Sequence, residues 1–278
     1  MTPEAYCQDK AAKSGSSFYY AFLFLPPQRR AAITALYAFC REVDDVVDET
    51  SDSSLAARTL AWWSEEVGRL YQGEPTHPVT RALAPHLEAF SITRPRLLEI
   101  IAGMEMDLHQ SRYLDFVGLA HYCHHVAGVV GQLSANIFGA SDPRTANYAE
   151  KLGLAVQLTN IIRDVGEDAR KGRIYLPIDE LKRFGVPAGD LLMGKRSAGF
   201  SELMRFQAAR ARSIYAEALA LLPDADRRAQ RPALIMAAIY RALLDEVEAE
   251  RFEVLNQRIA LTPIRKLWIA WRTWVGTR

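Results

Sequence analysis

Four side chains on one predicted helix have the types and spacing to bind a metal ion and an anion together. The segment 28–49 follows a proline pair and contains no helix breaker. At roughly 100° per residue, Asp44 and Asp48 lie about 40° apart, and Tyr37 and Arg41 fall on the same face. Carboxylates four residues apart repel each other, and a cation held between them reverses that effect. The row predicts a metal site, with a solvated acidic face as the alternative.

A second row of oxygen-bearing side chains lies further along the chain, on another apolar helix. Gln157, Asn160, Asp164 and Asp168 span roughly 80° of one face at helical spacing. Acidic residues on an interior helix need a metal ion or a partner, because an unpaired charge is costly away from water. Two such rows are more specific than one, and we expect them to face each other across a helical bundle.

The ligands in both rows are the kind that magnesium binds. Mg²⁺ prefers a few carboxylate or amide oxygens together with water and substrate phosphates. Arg41 and Arg163, one on each of the two helices, could bind the same anion through paired N–H groups. The pattern predicts several Mg²⁺ ions around a diphosphate. A di-iron centre would need two Glu-x-x-His units, and Glu105 and His109 are one residue too far apart for such a unit.

The elements that must position these rows are helices. Alanine, leucine and arginine are frequent, and prolines and glycines divide the chain into segments of helical length. These predicted segments are 28–49, 54–72, 95–110, 116–139, 143–169, 199–221 and 232–258. Neither a linker nor an internal repeat separates two halves. We predict one all-α domain over 1–278, with a core of about 14–260 and a basic, tryptophan-containing tail over 261–278.

Composition and charge exclude several other classes of protein. Apolar residues make up 49% of the 278 residues, which is enough for a large core. The formal net charge of +1 argues against a nucleic-acid-binding protein. Cys7, Cys40 and Cys123 show no CxxC spacing, which is typical of reduced thiols. No secretory signal or membrane-spanning segment is visible, so we expect a cytoplasmic protein.

Together, these motifs resemble those of the squalene and phytoene synthase family. The matching runs are YAFCREVDDVVDE (37–49), YCHHVAGVVG (122–131), QLTNIIRDVGEDARKGRIYLP (157–177) and GSSFYYAFLFLP (15–26). The resemblance extends over roughly 14–260. Within the family, the chain looks most like the bacterial hopanoid-pathway presqualene diphosphate synthases, on the runs at 15–30, 231–255 and 265–272.

The resemblance implies roles for individual residues. The implied metal ligands are Asp44, Asp48, Asn160, Asp164 and Asp168. The implied catalytic residues are Asp44, Asp48, Asp164, Asp168, Tyr122 and Arg163. The implied contacts with substrate are Ser17, Phe18, Tyr37, Arg41, Gln157, Asn160, Arg163, Tyr175 and Tyr240. Several relatives have histidine and serine where this chain has Ser14 and Gly15, which puts side-chain contacts there in doubt.

The resemblance also implies a fold and a reaction. The expected fold is an isoprenoid-synthase-type helical bundle with a central cavity and the two rows on opposing walls. The expected reaction joins two farnesyl diphosphates head to head, with two or three Mg²⁺ ions, into presqualene diphosphate and pyrophosphate for squalene and hopanoid biosynthesis. No use of NADPH is expected.

Three alternatives stay open at this point. The chain could be a phytoene synthase acting on geranylgeranyl diphosphate, or a squalene synthase with an NADPH-dependent second step. It could also be a helical assembly factor without catalysis. All five implied metal-ligand positions are filled, and this favours an enzyme.

Two further features could bind something else. His121, His124 and His125 surround Tyr122, but no nearby cysteine or histidine pattern completes a zinc site. The tail combines tryptophans with arginine and lysine, which suits a membrane surface, and packing against the bundle is the alternative. Peripheral contact with the inner membrane and hand-over of product to later hopanoid-pathway enzymes are the expected interactions.

Overall fold

A computed structural model describes residues 1–13, 18–50 and 52–277 of the chain. Its α helices are α1 (Pro3–Lys13), α2 (Phe18–Phe22), α3 (Pro27–Glu49), α4 (Ser53–Gln72), α5 (Pro78–Leu83), α6 (Arg94–His109), α7 (Phe116–Cys123), α8 (Val129–Phe138), α9 (Thr145–Arg170), α10 (Ile178–Arg183), α11 (Ala188–Leu192), α12 (Phe200–Leu221), α13 (Asp224–Arg227), α14 (Arg231–Ala249) and α15 (Pro263–Gly276). One π turn, His124–Gly128, joins α7 to α8. In the described ranges, extended pairing is limited to an isolated bridge between Arg112 and Ile174.

The prediction of a single all-α domain is confirmed, and one predicted helix is shorter than expected. The segment predicted to be helical over 232–258 ends at Ala249. Arg251 and Phe252 have φ angles of 54° and 57°, which are left-handed and cannot continue the helix. The chain turns there and crosses α9, where the Gly166 amide donates to the Val254 carbonyl at 3.3 Å. This crossing brings the segment after α14 to the second acidic row.

Helix α3 is buried on one side and half-buried on the other. It begins after Pro26, with Pro27 in the first turn, where a missing N–H leaves no hydrogen bond unmade. Its apolar side is fully buried and includes Leu36, Phe39 and Val43. The opposite side carries the acidic row and is partly accessible. The alternative of a solvated acidic face on a peripheral helix does not describe this arrangement.

Two glycines allow α8 and α9 to touch backbone to backbone. A Cβ added at Gly131 would lie 2.5 Å from the carbonyl oxygen of Ala149. One added at Gly153 would lie 2.5 Å from the carbonyl oxygen of Ala127. Any side chain at these positions would push the helices apart. The resulting close contact fixes which residues of the two helices lie at the same level along the central cavity.

A buried carboxylate anchors the turn before α9. Asp226, which is 1% exposed, accepts hydrogen bonds from the amide and hydroxyl of Ser141, the amide of Asp142 and the hydroxyl of Thr145. Burial alone would raise its pKa, but these donors outweigh burial and lower the pKa to about 2. Asp226 therefore ties α13 to the start of α9 as a charged acceptor.

Asp226→Asn should lower the free energy of unfolding by about 2 kcal/mol at pH 7 and by much less near pH 2. Because the folded pKa lies below the unfolded value, the stabilisation is fully present above that unfolded value. It is lost as the pH falls through the folded pKa of about 2. Urea unfolding at neutral and acidic pH measures both values. Asp224→Asn, at an exposed neighbouring carboxylate, is the matched control. An equal loss at both pH values would contradict the explanation.

Candidate active site

On α3, Asp44 faces the central cavity and its neighbour Asp45 faces α1. Arg41 donates to Oδ2 of Asp44 and to Oδ1 of Asp45, each at 2.5 Å. Lys10 of α1 also holds Asp45, at 2.8 Å. Burial raises the pKa of Asp44 to about 6 against the lowering effect of Arg41, and the Asp48 charge adds to the rise. A cation beside Asp44 would stabilise its ionised form.

On α9, Asn160 has an oxygen that lacks a partner. Its Nδ2 donates to Oε1 of Gln157 at 3.2 Å. Its Oδ1 is buried, and no described residue donates a hydrogen bond to it. Leaving a buried acceptor unsatisfied costs about 1–3 kcal/mol. Because both side chains line the cavity, the free oxygen lies where a bound ligand could use it.

The two carboxylates of the α9 row have different surroundings. Asp164 accepts from Nε of Arg163 at 2.7 Å and from Nε of Arg258 at 3.2 Å. The Asp168 carbonyl accepts from the amides of Lys171 and Arg173, but no described residue donates a hydrogen bond to the Asp168 carboxylate. Burial raises the pKa of Asp168 to about 8, and repulsion from Asp164 and Glu167 contributes. One carboxylate of the row is neutralised by arginines, and the other lacks positive charge in direct contact.

Asp48 connects the end of α3 to the segment after α9. It accepts from Nζ of Lys171 at 3.1 Å and from Arg173 at 2.8 Å. These hydrogen bonds outweigh its burial and lower its pKa. Asp48 and Asp168 are close enough to influence each other's charge, since Asp48 contributes to the raised pKa of Asp168. Asp44 on α3 and Asn160 on α9 line the same cavity, so the two rows face each other, as the sequence predicts.

The donor set of the two rows fits magnesium. It consists only of oxygens, and it includes an unsatisfied amide oxygen on Asn160 and two carboxyls, Asp44 and Asp168, whose pKa values burial raises. Within the described part of the chain, no three Asp, Glu, His or Cys side chains form a cluster that could hold an ion by themselves. Mg²⁺ commonly takes one or two carboxylates and completes its shell with water and substrate phosphates.

A central cavity of about 230 Å³ opens beside these residues. Arg41, Asp44, Gln157 and Asn160 form the polar end of its lining, and Ser134 and Gln230 add two polar side chains elsewhere on the wall. From Asn160 the lining follows α9 back to Ala149, about 16 Å at 1.5 Å per residue. The other lining side chains are mostly apolar and include Phe18, Phe22, Tyr37, Ile100, Met104, Tyr122, Val126, Val130, Phe138, Leu152, Val156, Ala233 and Met236. The cavity joins a polar end to an apolar channel.

Two aromatic rings close the apolar end. Ala149 lies level with Gly131 of α8, and Phe138 lies about 10 Å further along α8, away from Asn160. The ring of Phe138 approaches Phe22 of α2, with centroids 6.5 Å apart. A chain that enters from the acidic rows would therefore meet these two rings last.

Asp107 is a candidate functional residue that sequence reasoning missed. Its Oδ2 accepts from the Tyr122 hydroxyl at 2.8 Å, and its Oδ1 accepts from the Tyr175 hydroxyl at 2.9 Å. The two tyrosine rings stack at 5.3 Å, and Tyr113 packs against both. Burial raises the pKa of Asp107 although Tyr122 donates to it. The sequence feature that points to Asp107 is a carboxylate on the largely apolar helix α6.

Other predicted site residues lie in different positions relative to the cavity. Phe18, Tyr37 and Tyr122 line it. Tyr240 does not line the cavity and is buried near the Arg163 guanidinium. Burial raises the pKa of Tyr240, and the positive charge of Arg163 partly offsets this rise. Tyr175 reaches the cavity only through its contact with Tyr122. Ser17 lies outside the described residues.

The three histidines beside Tyr122 have protein partners. The His124 ring pairs with Glu150 at 3.1 Å, and the His125 ring is bonded to the carbonyl of His121 at 3.0 Å. His124 and His125 begin the π turn, and Val126 and Ala127 of the same turn line the cavity. This histidine group is explained by local contacts.

With the geometry in place, comparison with known proteins decides the family. The family model for squalene/phytoene synthase matches residues 11–265. The chain belongs to the squalene/phytoene synthase family. Squalene/phytoene synthases are prenyl transferase-type enzymes that depend on divalent metals, so the expected family and enzyme class are confirmed at this level.

Related sequences and structures agree on the family but differ in their products. A phytoene synthase from Arthrospira platensis is 38% identical, covering 94% of this chain and 89% of that protein. A 15-cis-phytoene synthase from Synechocystis sp. is 35% identical, covering 95% and 82%. The crystal structure of a dehydrosqualene synthase with ligand is 30% identical with a TM-score of 0.86, covering 98% and 95%. A squalene synthase from Alicyclobacillus acidocaldarius is 27% identical with a TM-score of 0.79, covering 90% and 94%. The hopanoid-type resemblance stays a prediction.

Proposed function

We propose that this squalene/phytoene synthase joins two farnesyl diphosphates head to head, releases pyrophosphate and stops at presqualene diphosphate. The observation that carries the proposal is the cavity that opens between Asp44 of the first row and Asn160 of the second. Asp44 and Asn160 lie at its polar end, and the Phe22–Phe138 pair closes its apolar end. A diphosphate with an isoprenoid chain has the same division into an anionic head and an apolar tail.

The two rows would bind the diphosphates. Asp44, Asp48, Asn160, Asp164 and Asp168 would hold two or three Mg²⁺ ions, which supply the positive charge that draws a diphosphate away from its allylic carbon. Arg41 and Arg163 add paired N–H donors for the same anion. Both arginines are bonded to carboxylates in the present structure, and substrate phosphate would replace those partners.

The apolar channel would protect and direct the reactive chain. When one diphosphate leaves, the alkene of the second molecule attacks the allylic cation, and loss of one proton closes the cyclopropane. Water in the channel would trap the cation as an alcohol, so the apolar lining excludes it. The rings of Phe18 and Tyr37, with centroids 5.5 Å apart, lie on the wall and would stabilise positive charge by about 0.5–2 kcal/mol each.

The tyrosine group would orient the groups around the departing proton. Burial holds the pKa of Tyr122 well above its usual value, so its hydroxyl is neutral. Asp107 fixes this hydroxyl and that of Tyr175 by accepting from both. The Tyr122 oxygen and the released pyrophosphate are the two candidates for the base that accepts this proton. Asp107 does not line the cavity, and we assign it a positioning role.

Product analysis tests the proposal. The purified protein is incubated with Mg²⁺ and either the C15 or the C20 diphosphate, with and without NADPH, and products are identified by mass spectrometry. We expect presqualene diphosphate from the C15 substrate under both conditions. Squalene formed only with NADPH would overturn the stopping point, and absence of turnover with either substrate would favour an assembly factor.

Phytoene synthesis from geranylgeranyl diphosphate is the second candidate function. It is supported by the similarity to phytoene synthases at 38% and 35% identity. The same experiment separates the two, because a clear preference for the C20 substrate would replace the farnesyl proposal.

Replacing the ring at the end of the channel with a smaller side chain should change the preference for the length of the prenyl chain. Phe138→Leu opens space beside Phe22, and we expect the ratio of kcat/KM for the C20 over the C15 diphosphate to rise by about 10-fold. Competition between the two substrates measures the ratio. Phe200→Leu, at a buried core position away from the cavity, is the matched control. If both variants leave the ratio unchanged, Phe138 does not limit the channel.

A further inference from the structure

Helix α15 exposes a continuous apolar stripe. Ile264, Leu267, Trp268, Trp271 and Val275 are all exposed, the two tryptophans by 56% and 51%. At roughly 100° per residue these five side chains fall within about 100° of the helix surface. The rings of Trp268 and Trp271 contact each other at 5.1 Å. No other described helix exposes as many large apolar side chains.

The opposite face of α15 fixes the direction in which the stripe points. Ala270 is fully buried. Trp274 stacks on Phe24 at 5.0 Å and lies under the guanidinium of Arg231 at 4.9 Å. Lys266 lies over the ring of Tyr20 at 5.6 Å. The sequence left open whether the tail packs on the bundle or faces a membrane, and the structure shows that one face packs while the other is exposed.

We propose that this stripe docks α15 onto an anionic lipid surface. The first reason is charge. Residues 263–276 contain Arg265, Lys266 and Arg272 and no acidic residue. Arg265 pairs with Glu246 of α14, and Lys266 lies over Tyr20 on the packed face, so exposed Arg272 contributes the main charge beside the stripe. By helical geometry, Arg265 and Arg272 flank the stripe on the side of Trp268, roughly 80–100° from Ile264. Tryptophans beside arginines on one face of a helix are typical of helices that lie in the interface of a bilayer.

The size of the stripe is the second reason. A 14-residue helix is about 21 Å long, and one face about 10 Å wide gives roughly 200 Å². A stable protein interface needs about 800 Å² per partner, so a second copy on this stripe alone would be held weakly. A lipid surface needs no such complementary area. None of the described helices could cross a bilayer. With 14 residues, α15 is shorter than the roughly 20 residues that a span requires, so docking would place it along the lipid surface.

The position of α15 gives the docking a consequence for the cavity. Through Trp274 and Lys266, the helix packs on the segment of α2 and the residues after it, and Phe18 and Phe22 of α2 line the cavity. Docking would hold this wall next to the lipid surface, where apolar chains are concentrated. The docking itself does not rest on the identity of the substrate.

Vesicle binding by the full chain tests the proposal. We expect the protein to sediment with vesicles of phosphatidylglycerol and phosphatidylcholine and to bind pure phosphatidylcholine much less. Trp268→Ser with Trp271→Ser should lower the partition coefficient by about 10-fold or more, and Arg272→Gln by about 5-fold. Raising salt from about 0.1 M to about 1 M, which shortens the Debye length from about 10 to 3 Å, should reduce the binding.

The controls separate docking from other causes. Leu192→Ser with Met193→Ser removes two exposed apolar side chains elsewhere and should leave vesicle binding unchanged. The tryptophan variant should keep the wild-type melting temperature and its turnover in detergent, since both side chains are exposed and lie outside the cavity. No binding by wild type, equal binding to both lipids, or an equal loss in the control would overturn the proposal. A dimer that the tryptophan variant dissociates would assign the stripe to a second copy instead.

Discussion

Asp168→Asn should make the metal-free protein more stable and the enzyme nearly inactive. Burial and repulsion from Asp164 and Glu167 disfavour the Asp168 charge, and no described side chain donates a hydrogen bond to it. Removing the charge should raise the free energy of unfolding by on the order of 1–2 kcal/mol, after allowance for solvent screening. If Asp168 holds metal as we propose, turnover of prenyl diphosphate should fall on the order of 1000-fold, because a ligand for the departing diphosphate's metal is lost.

Opposite signs in stability and activity make this prediction specific. A residue that only supports the fold would lose activity together with stability. Thermal unfolding without metal gives the first sign, and product formation under saturating Mg²⁺ gives the second. Mg²⁺ with pyrophosphate should raise the melting temperature of wild type and have little effect on the variant.

Glu167→Gln is the matched control for Asp168→Asn. It removes the same charge from the adjacent position on α9, where the ion pairing of Glu167 with described residues is limited to a 3.8 Å contact with Arg258. We expect its turnover to stay within about 10-fold of wild type, since a half-exposed ion pair contributes little. Comparable losses in both variants would contradict a specific role for Asp168.

Asp107→Asn should lower kcat by about 100-fold while KM changes little. An amide keeps the shape of the carboxylate, but it can accept from only one of the two tyrosine hydroxyls and carries no charge. Tyr122 and Tyr175 would lose their common acceptor, and proton removal next to Tyr122 would become less well oriented. Substrate binding should persist, because Asp107 does not line the cavity.

A double-mutant cycle tests whether Asp107 acts through Tyr122. We expect Asp107→Asn combined with Tyr122→Phe to be about as slow as Tyr122→Phe alone, because both changes remove one hydrogen-bonded unit. Asp107→Asn removes a charge that burial disfavours and also one tyrosine hydrogen bond. These two effects oppose each other, so we expect the melting temperature to change little. Fully additive effects on kcat, or an activity loss that follows a loss of stability, would contradict the positioning role.

Helical spacing determined much of the site before the fold was known. Residues three or four apart share a helix face in any helical context. For this reason Arg41 and Asp44 on α3, and Gln157 and Asn160 on α9, line the cavity as predicted. The all-α class follows from the same periodicity, and the motif runs led to the family that the comparisons confirm.

Other features of the site depend on residues that are distant in sequence. Asp107 meets Tyr175 across 68 residues, and Arg258 meets Asp164 across 94. The end of the channel is formed by Phe22 and Phe138 from two separate helices. No local spacing encodes such contacts, since they arise only when helices pack at particular levels.

The sequence by itself determined the helices, the two rows of oxygen-bearing side chains and the family, because each depends on spacing within one segment. The tertiary structure decided which carboxylates keep cationic partners, where the channel ends and which face of α15 is exposed. Gly131 and Gly153 show the physical reason, since a close contact between backbones sets the level at which α8 meets α9. The tertiary structure also decided that Asp44 faces the cavity while Asp45 faces Lys10 on α1. This difference depends on how α1 and α3 pack.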